Sequence, residues 1–286
     1  MVVKPKTESL LKSFLKNYLI NIDLSSTITG TAQPQITRTN LAPFPIPLPP
    51  IDIQKKIVSE IEAMEKQEQQ AVEAVEKLKE EINTSVNDLF KNSYKVETLG
   101  NLTTLITKGS SPTWQGIAYT GNPEVLFVTS ENVREGYLDF SKKKYLENRF
   151  NEIQKRSILE KNDVLVNIVG ASIGRSAVYN LDVNANINQA VALVRCNPNL
   201  LNYQFLNYFL NSDTVISEYT SMKKEVARAN LSLQNISDIK IPLPTIEEQK
   251  KVVAEIEKLE TIITELEKQI AEVPKLKETI LKKYLK

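Results

Sequence analysis

Ile46-Pro47-Leu48-Pro49-Pro50-Ile51-Asp52-Ile53-Gln54-Lys55-Lys56-Ile57-Val58-Ser59-Glu60-Ile61-Glu62 occurs twice in this chain. The second copy, 195 positions on and without a gap, is Ile241-Pro242-Leu243-Pro244-Thr245-Ile246-Glu247-Glu248-Gln249-Lys250-Lys251-Val252-Val253-Ala254-Glu255-Ile256-Glu257. A literal internal repeat of this length sets the architecture before any other signal is read. In each copy, prolines at alternate positions impose extended backbone and disfavour helix just upstream. Asp52 or Glu247 then places negative charge where a helix N-terminus favours it.

A long charged segment follows each junction. Apolar residues fall at Ile57, Ile61, Met64, Ala71, Val75, Leu78, Ile82 and Leu89, spaced alternately by four and three, with Glu68 and Ser85 as interruptions. In the second copy they are Val252, Ile256, Leu259, Ile263, Leu266, Ile270, Val273, Ile280 and Tyr284, interrupted by Lys277. This is a heptad seam. At about 1.5 Å per residue, a helix of some 35 residues reaches roughly 50 Å. One such stripe reads equally well as a generic dimerisation helix. Two stripes in one chain are most simply buried against each other, as an intramolecular pair. Pro274 is expected to kink or break the second helix, because it removes a backbone donor and crowds the carbonyl of Ile270.

The 286 residues suffice for one or two domains with real cores. A single cysteine, Cys196, excludes an intrachain disulfide and a multi-cysteine metal site. The chain has no histidine, which removes histidine general bases and the commonest metal ligand together. No apolar run approaches the roughly 20 residues that span a bilayer, and the first residues do not read as a signal peptide. A reduced, cytoplasmic protein is expected. The net charge of +1 conceals an asymmetry. Residues 1–50 carry five basic and two acidic side chains, and residues 91–240 seventeen and fourteen, each a net of +3. Residues 51–90 carry five basic and ten acidic, a net of −5. A mildly basic globular part mounted on an acidic helix is compatible with a phosphate-facing domain.

Residues 9–20 read as a short amphipathic helix, followed by a polar stretch that Gly30 and Pro34 break. Asn17-Tyr18-Leu19-Ile20-Asn21 matches Asn207-Tyr208-Phe209-Leu210-Asn211 in type at a shift of 190, and Thr39-Asn40-Leu41 matches Gln234-Asn235-Ile236 at 195. The repeat therefore extends backwards, and the first copy is short. Residues 91–199 have no counterpart. They hold β-rich runs at 125–128, 164–169, 176–179 and 190–194, separated by turn signals at 108–112, 121–123, 161–163 and 170–174. The reading is α+β: a mostly antiparallel β-rich domain with short helices near 203–220, plus two long helices pairing as an antiparallel coiled coil.

Gly170-Ala171-Ser172-Ile173-Gly174-Arg175 follows a strand but lacks the third glycine and the following helix of a nucleotide loop. A tight strand-to-strand turn is an equal reading, with Ser172 and Arg175 able to reach phosphate or guanine. Lys108, Ser110, Ser111, Thr113 and Trp114 offer donors and a stacking face. They equally describe a solvated loop with its tryptophan folded back on the core. Ser130, Asn132 and Arg134 leave a strand end with similar donors, or are plain loop residues. Lys142-Lys143-Lys144 is a solvated charge run, whereas Lys223, Lys224 and Arg228 sit in a polar loop read as facing nucleic acid. No spacing argues for a catalytic or metal centre.

These residues resemble the specificity (S) subunits of type I restriction-modification systems. The resemblance rests on the two Ile-Pro-Leu-Pro…Gln junctions and the opening Val96-Glu97-Thr98-Leu99-Gly100-Asn101-Leu102. It rests also on Asn162-Asp163-Val164-Leu165-Val166 with the glycine turn after it, and on Asn186-Ile187-Asn188-Gln189-Ala190. It implies two target recognition domains alternating with two conserved helices that pair antiparallel, each domain reading half of a split site on double-stranded DNA. It implies that the subunit is not an enzyme and holds no cofactor. DNA adenine-methyltransferase subunits bring S-adenosylmethionine, and restriction subunits bring nuclease and translocase activity. The pattern departs in one respect: the expected division is a tail of a first recognition domain (1–45), a helix (46–90), one complete domain (91–240) and a second helix (241–286). Self-association through the helices, or joining to a missing half, would restore a second domain. Two other readings share these features: the specificity subunit of a fused methylase-nuclease system, and a coiled-coil adaptor with a protein-binding β-domain.

Overall fold

The computed structural model describes residues 3–30, 33–89, 93–217, 219 and 230–285. The fold is α+β and divides into two compact units, residues 1–79 with 260–286, and residues 80–259. The helices used below are α1 (Lys12–Ile20), α2 (Arg38–Leu41), α3 (Ile51–Asp88), α4 (Arg149–Ile153), α5 (Tyr203–Leu210), α6 (Leu233–Ser237) and α7 (Ile246–Tyr284). The strands are β1 (Ile28–Thr29), β2 (Gln35–Ile36), β3 (Lys95–Thr98), β4 (Thr103–Lys108), β5 (Tyr119–Thr120) and β6 (Val125–Val128). They continue with β7 (Tyr145–Leu146), β8 (Val164–Asn167), β9 (Ser176–Val178), β10 (Ala185–Ile187), β11 (Val191–Cys196) and β12 (Lys240–Leu243).

The long helices α3 and α7 contain 38 and 39 residues. Thr245 caps α7: its hydroxyl accepts from the Glu248 amide while the Glu248 carboxylate accepts from the Thr245 amide, a reciprocal capping box. The Thr245 hydroxyl, which also donates to the Glu248 carboxylate at 2.8 Å, and then the Thr245 amide hold that carboxyl below the usual glutamate range. Within the first unit, Glu60 bonds Lys283 and Tyr284, Glu65 and Glu68 bond Lys277, and Lys79 bonds Glu267. The partner number falls as the α3 number rises, so the helices run antiparallel. Ile57 and Ile61 are fully buried in one cluster with Ile280 and Leu281, and Val75 and Ile263 are buried further along. Leu78, Leu266 and Ile270 are half-buried. In the second unit, Ile82, Val86 and Leu89 share a core with Val252, Val253 and Ile256, while Leu259 is half-buried. The stripe steps past exposed Ser85 onto Val86.

The expected break at Pro274 does not occur: α7 continues through it. Pro274 is exposed, so water can satisfy the carbonyl that loses its donor, while the neighbouring seam residue Val273 stays buried.

In the second unit, one sheet has the order β4-β11-β8-β9, antiparallel throughout, and packs on α5 and the adjoining ends of α3 and α7. The second sheet has the order β10-β6-β7-β5, and its β10–β6 pair is parallel. An apolar cluster from Leu126, Val128, Leu165, Ala177, Ile187 and Leu193 joins the two sheets. Strand β12 pairs antiparallel with β3, so the proline junction closes onto the strand that opens the domain.

The repeat is visible as a pair of glutamine clamps. Gln54 is fully buried; its Oε1 accepts from the Leu11 amide at 2.8 Å, and its Nε2 donates to the Ser9 and Pro49 carbonyls at 2.7 and 2.8 Å. Gln249, its counterpart, accepts from the Asn202 amide at 2.8 Å and donates to the Leu200 and Pro244 carbonyls at 3.0 Å each. These contacts set the offset before the short helix at 191. Asn21 and Asn211, which cap α1 and α5, keep it at 190. The one-residue difference lies in the helix itself, nine residues in α1 and eight in α5. Thr37 and Ser232 complete the correspondence, each accepting the amide three residues on, from Asn40 and Asn235.

Candidate nucleic-acid interface

Strands β4 and β8 run the same way, since each is antiparallel to β11, and β6 is parallel to β10. Their C-terminal ends meet. The Asn188 amide donates to the Val128 carbonyl at 3.1 Å, and the Ile168 amide to the Ala190 carbonyl at 2.9 Å. Gly109 lies so close to the Ile187 carbonyl that a Cβ would fall 1.8 Å from its oxygen. Only glycine permits this approach. The loops at 108–115, 129–142, 168–175 and 187–190 therefore form one rim.

Asn167 at the end of β8 organises half of it. Fully buried, it donates through Nδ2 to the Ser130 and Val133 carbonyls at 3.1 and 3.3 Å and to the Ser172 hydroxyl at 3.1 Å. The glycine segment is a turn: Gly170 and Gly174 have φ of +81° and +90°, and β9 follows directly. Asn132 is buried and spends its amide within its own loop, accepting from Thr129 and donating to the Asp139 carbonyl at 2.9 Å. It shapes the loop and has little left for a ligand.

The structure brings Ser130, Asn132, Arg134, Ser172 and Arg175 together around Asn167. Arg134 reaches Asp139 at 3.4 Å and Arg175 reaches Glu135 at 3.1 Å. The five residues Arg134, Glu135, Tyr137, Asp139 and Arg175 line an open concavity of about 360 Å³. The Ser141 amide and hydroxyl, with Arg134 behind them, hold the Asp139 carboxyl below its ordinary range. Lys144 does the same for Glu131. Glu135, Tyr137 and Asp139 were not singled out from the sequence; the signal available was an aromatic residue directly after Gly136, a turn residue with φ of +87°.

Lys108, Ser110, Ser111, Thr113 and Trp114 form the other part of the rim. The Ser110 hydroxyl accepts from Gln115 at 3.2 Å. Lys108 and Thr113 are exposed, Ser110 and Ser111 half-buried. Trp114 is 80% exposed and is not folded onto the core. Lys223, Lys224 and Arg228 lie outside the described residues. Among the described residues there is no group of three or more potential metal-ligating side chains, and no helix is long and apolar enough to cross a membrane.

The fold is that of an α+β chain with a β-rich domain and two long paired helices. Residues 1–84 and 91–275 match the family described as type I restriction modification DNA specificity domain, and the chain belongs to that family. It is 35% identical over 122 residues to the type I restriction enzyme EcoBI specificity subunit of Escherichia coli, a match covering 43% of this chain and 26% of that protein. The match thus spans about a quarter of that relative's length. Its fold is similar to the HsdS subunit from Thermoanaerobacter tengcongensis, with TM-score 0.58 and 21% identity over 96% of this chain and 69% of that one. It is similar also to a chain from a study of complex assembly and conformational transition of the type I R-M system, with TM-score 0.63 and 20% identity over 96% and 68%. The S subunit from M. genitalium gives TM-score 0.55 and 14% identity over 98% and 74%.

Proposed function

We propose that this chain recognises DNA sequence as the specificity subunit of a type I restriction-modification assembly, and that it carries out no chemistry of its own. The observation supporting this is the convergence of four strand ends on one rim bearing Arg134, Arg175, Lys108, Trp114 and Tyr137. An arginine fork fits the guanine edge or a phosphate, lysine fits phosphate, and exposed aromatic faces stack or wedge. Arg175 is paired with the exposed carboxylate of Glu135, a partner that DNA can displace at small cost, and Arg134 with half-buried Asp139 at 3.4 Å.

In this reading residues 91–240 are a complete target recognition domain, residues 46–90 and 241–286 are the two conserved helices, and residues 1–45 correspond to the tail of another recognition domain. The stripe residues of α3 and α7 hold the helices in register. DNA adenine-methyltransferase subunits and restriction subunits are the partners that supply the reactions. Self-association would place two recognition domains about a twofold axis.

The test is duplex binding followed as salt is raised, alongside purification from the native host. Affinity is expected to fall linearly on a log–log plot, with a shallower slope for Arg134→Ala and Arg175→Ala. A methyltransferase subunit is expected to co-purify. Salt-insensitive binding, or none with the subunit present, sinks the reading.

A further inference from the structure

Residues 129–144 leave β6 at the rim, fold on themselves and return to it. Val133 bridges Leu138, and the Arg134 amide donates to the Tyr137 carbonyl at 2.9 Å, so the loop contains a short hairpin with residues 134–137 at its tip. The base of the hairpin is tied down. Val133 is fully buried and its carbonyl is bound by Asn167, while Asn132 and Asp139 bond each other across the two arms. The tip is fixed as well. The Gly136 amide donates to the Ser176 carbonyl at 2.9 Å, beside a parallel bridge from Gly136 to Ala177 of β9.

Tyr137 stands on this fixed tip and is 61% exposed. Arg134 and Arg175 line the same concavity, and each is already engaged by a carboxylate. The unshared positive charge of the loop lies further along. Lys142 and Lys143 are exposed, and among the described residues neither makes an ion pair, whereas Lys144 reaches Glu131 at 2.9 Å. From the sequence this lysine run reads as solvated. The fold places it at the rim, because the Phe127 amide donates to the Lys144 carbonyl at 2.9 Å and β7 starts antiparallel beside the end of β6.

We propose that this hairpin meets the base stack of duplex DNA and that Tyr137 wedges into one base step, with Lys142 and Lys143 holding the phosphates beside it. The inference rests on the DNA reading above and adds the element that distorts the duplex. A side chain inserted between base pairs partly unstacks them and kinks the helix by about 20–90°. A fixed tip suits that role, since the ring is held in place before binding and little further ordering is required. The bonds that fix the tip are main-chain bonds, so changing the Tyr137 side chain leaves them in place.

The full chain is first offered a randomised duplex library to obtain the sequence it selects. That duplex, labelled at both ends, then reports bending by energy transfer between the labels. The wild type is expected to shorten the end-to-end distance. Tyr137→Ala should leave the duplex nearly straight and bind it about five- to a hundredfold more weakly, while Tyr137→Phe and Tyr137→Trp should keep the bend. Lys142→Ala combined with Lys143→Ala should keep the bend at saturation and make the salt slope shallower by about one to two. A selected duplex that the wild type leaves straight overturns the proposal, and so does a bend that Tyr137→Ala retains at saturation; the DNA reading survives both. Loss of the bend in Trp114→Ala but not in Tyr137→Ala overturns it in favour of Trp114. An unchanged salt slope overturns the role of the two lysines. A chain that selects no sequence sinks the DNA reading itself, and the wedge with it.

Discussion

Lys277 donates to Glu68 at 3.0 Å across the paired long helices, with Glu65 at 3.4 Å. Its side chain is only 12% exposed. Lys277 interrupts the apolar stripe of α7, Glu68 is one of the two polar interruptions of the stripe of α3, and they are each other's partners. Sliding one helix by a heptad would leave a largely buried lysine facing apolar side chains, so the pair favours a single register.

Lys277→Glu is therefore expected to destabilise the chain by about 1–3 kcal/mol, and Glu68→Lys in the same chain to recover most of the loss. Urea unfolding of the wild type, both single variants and the double variant measures the coupling. Strict additivity would show that the pair does not set register.

Gln249→Glu should cost about 1–3 kcal/mol, because a carboxylate cannot donate to the buried carbonyls of Leu200 and Pro244. Gln54→Glu should cost a similar amount in the other unit, where the clamp is built the same way. Denaturant midpoints report both.

Asp163 is 1% exposed and receives the Arg195 fork at 2.8 Å through both oxygens, with the Glu160 amide at 2.7 Å. Asp163→Asn leaves Arg195 with Glu160 and the Ile158 carbonyl as its remaining partners and should cost about 1–3 kcal/mol. Asp163 ends the turn before β8, so the glycine turn and Arg175 should be loosened, and DNA affinity should fall in parallel with stability.

Burial, with Asp163 nearby, pushes the Cys196 thiol up to about 12. Neutral thiol is unreactive, so alkylation at mildly alkaline pH should be slow in the native chain and fast after unfolding. Rapid native-state labelling would show that the C-terminal end of β11 opens.

The Tyr284 hydroxyl, followed by Lys283, holds the Glu60 carboxyl below its ordinary range. A depressed carboxylate contributes stability that is present above the usual glutamate value and is lost as pH falls through the depressed one. Tyr284→Phe should therefore lower the melting temperature slightly near pH 7 and by progressively less as the pH is taken below the ordinary glutamate value, in scans from neutral to acid pH. Glu60 is solvent-accessible, so the effect is small.

What could be read without the structure is what depends on neighbours along the chain. The spacing of apolar residues set two long helices, and the repeat set their equivalence. Proline and glycine placed the junctions and the turn at 170–174. The buried glutamines were already in the repeat, at matching positions, but nothing local says that each grips the proline segment before it and the residues that lead into the short helix. Asn132 shows the opposite limit. As a residue type in a loop it looks like a donor for DNA, and only the fold reveals that Thr129 and Asp139 already use its amide. Trp114 likewise fitted either a buried or an exposed site, and tertiary packing decided for exposure.

The sequence by itself determined the α+β class and the two helices, because helical period, proline geometry and turn chemistry act over a few residues; its motifs carried the resemblance to the family. The tertiary structure alone decided that α7 passes through Pro274, that Glu68 faces Lys277 across 209 positions, and that four strand ends gather around Asn167 and Gly109. Those outcomes depend on which distant groups share a buried space, and no local pattern encodes that.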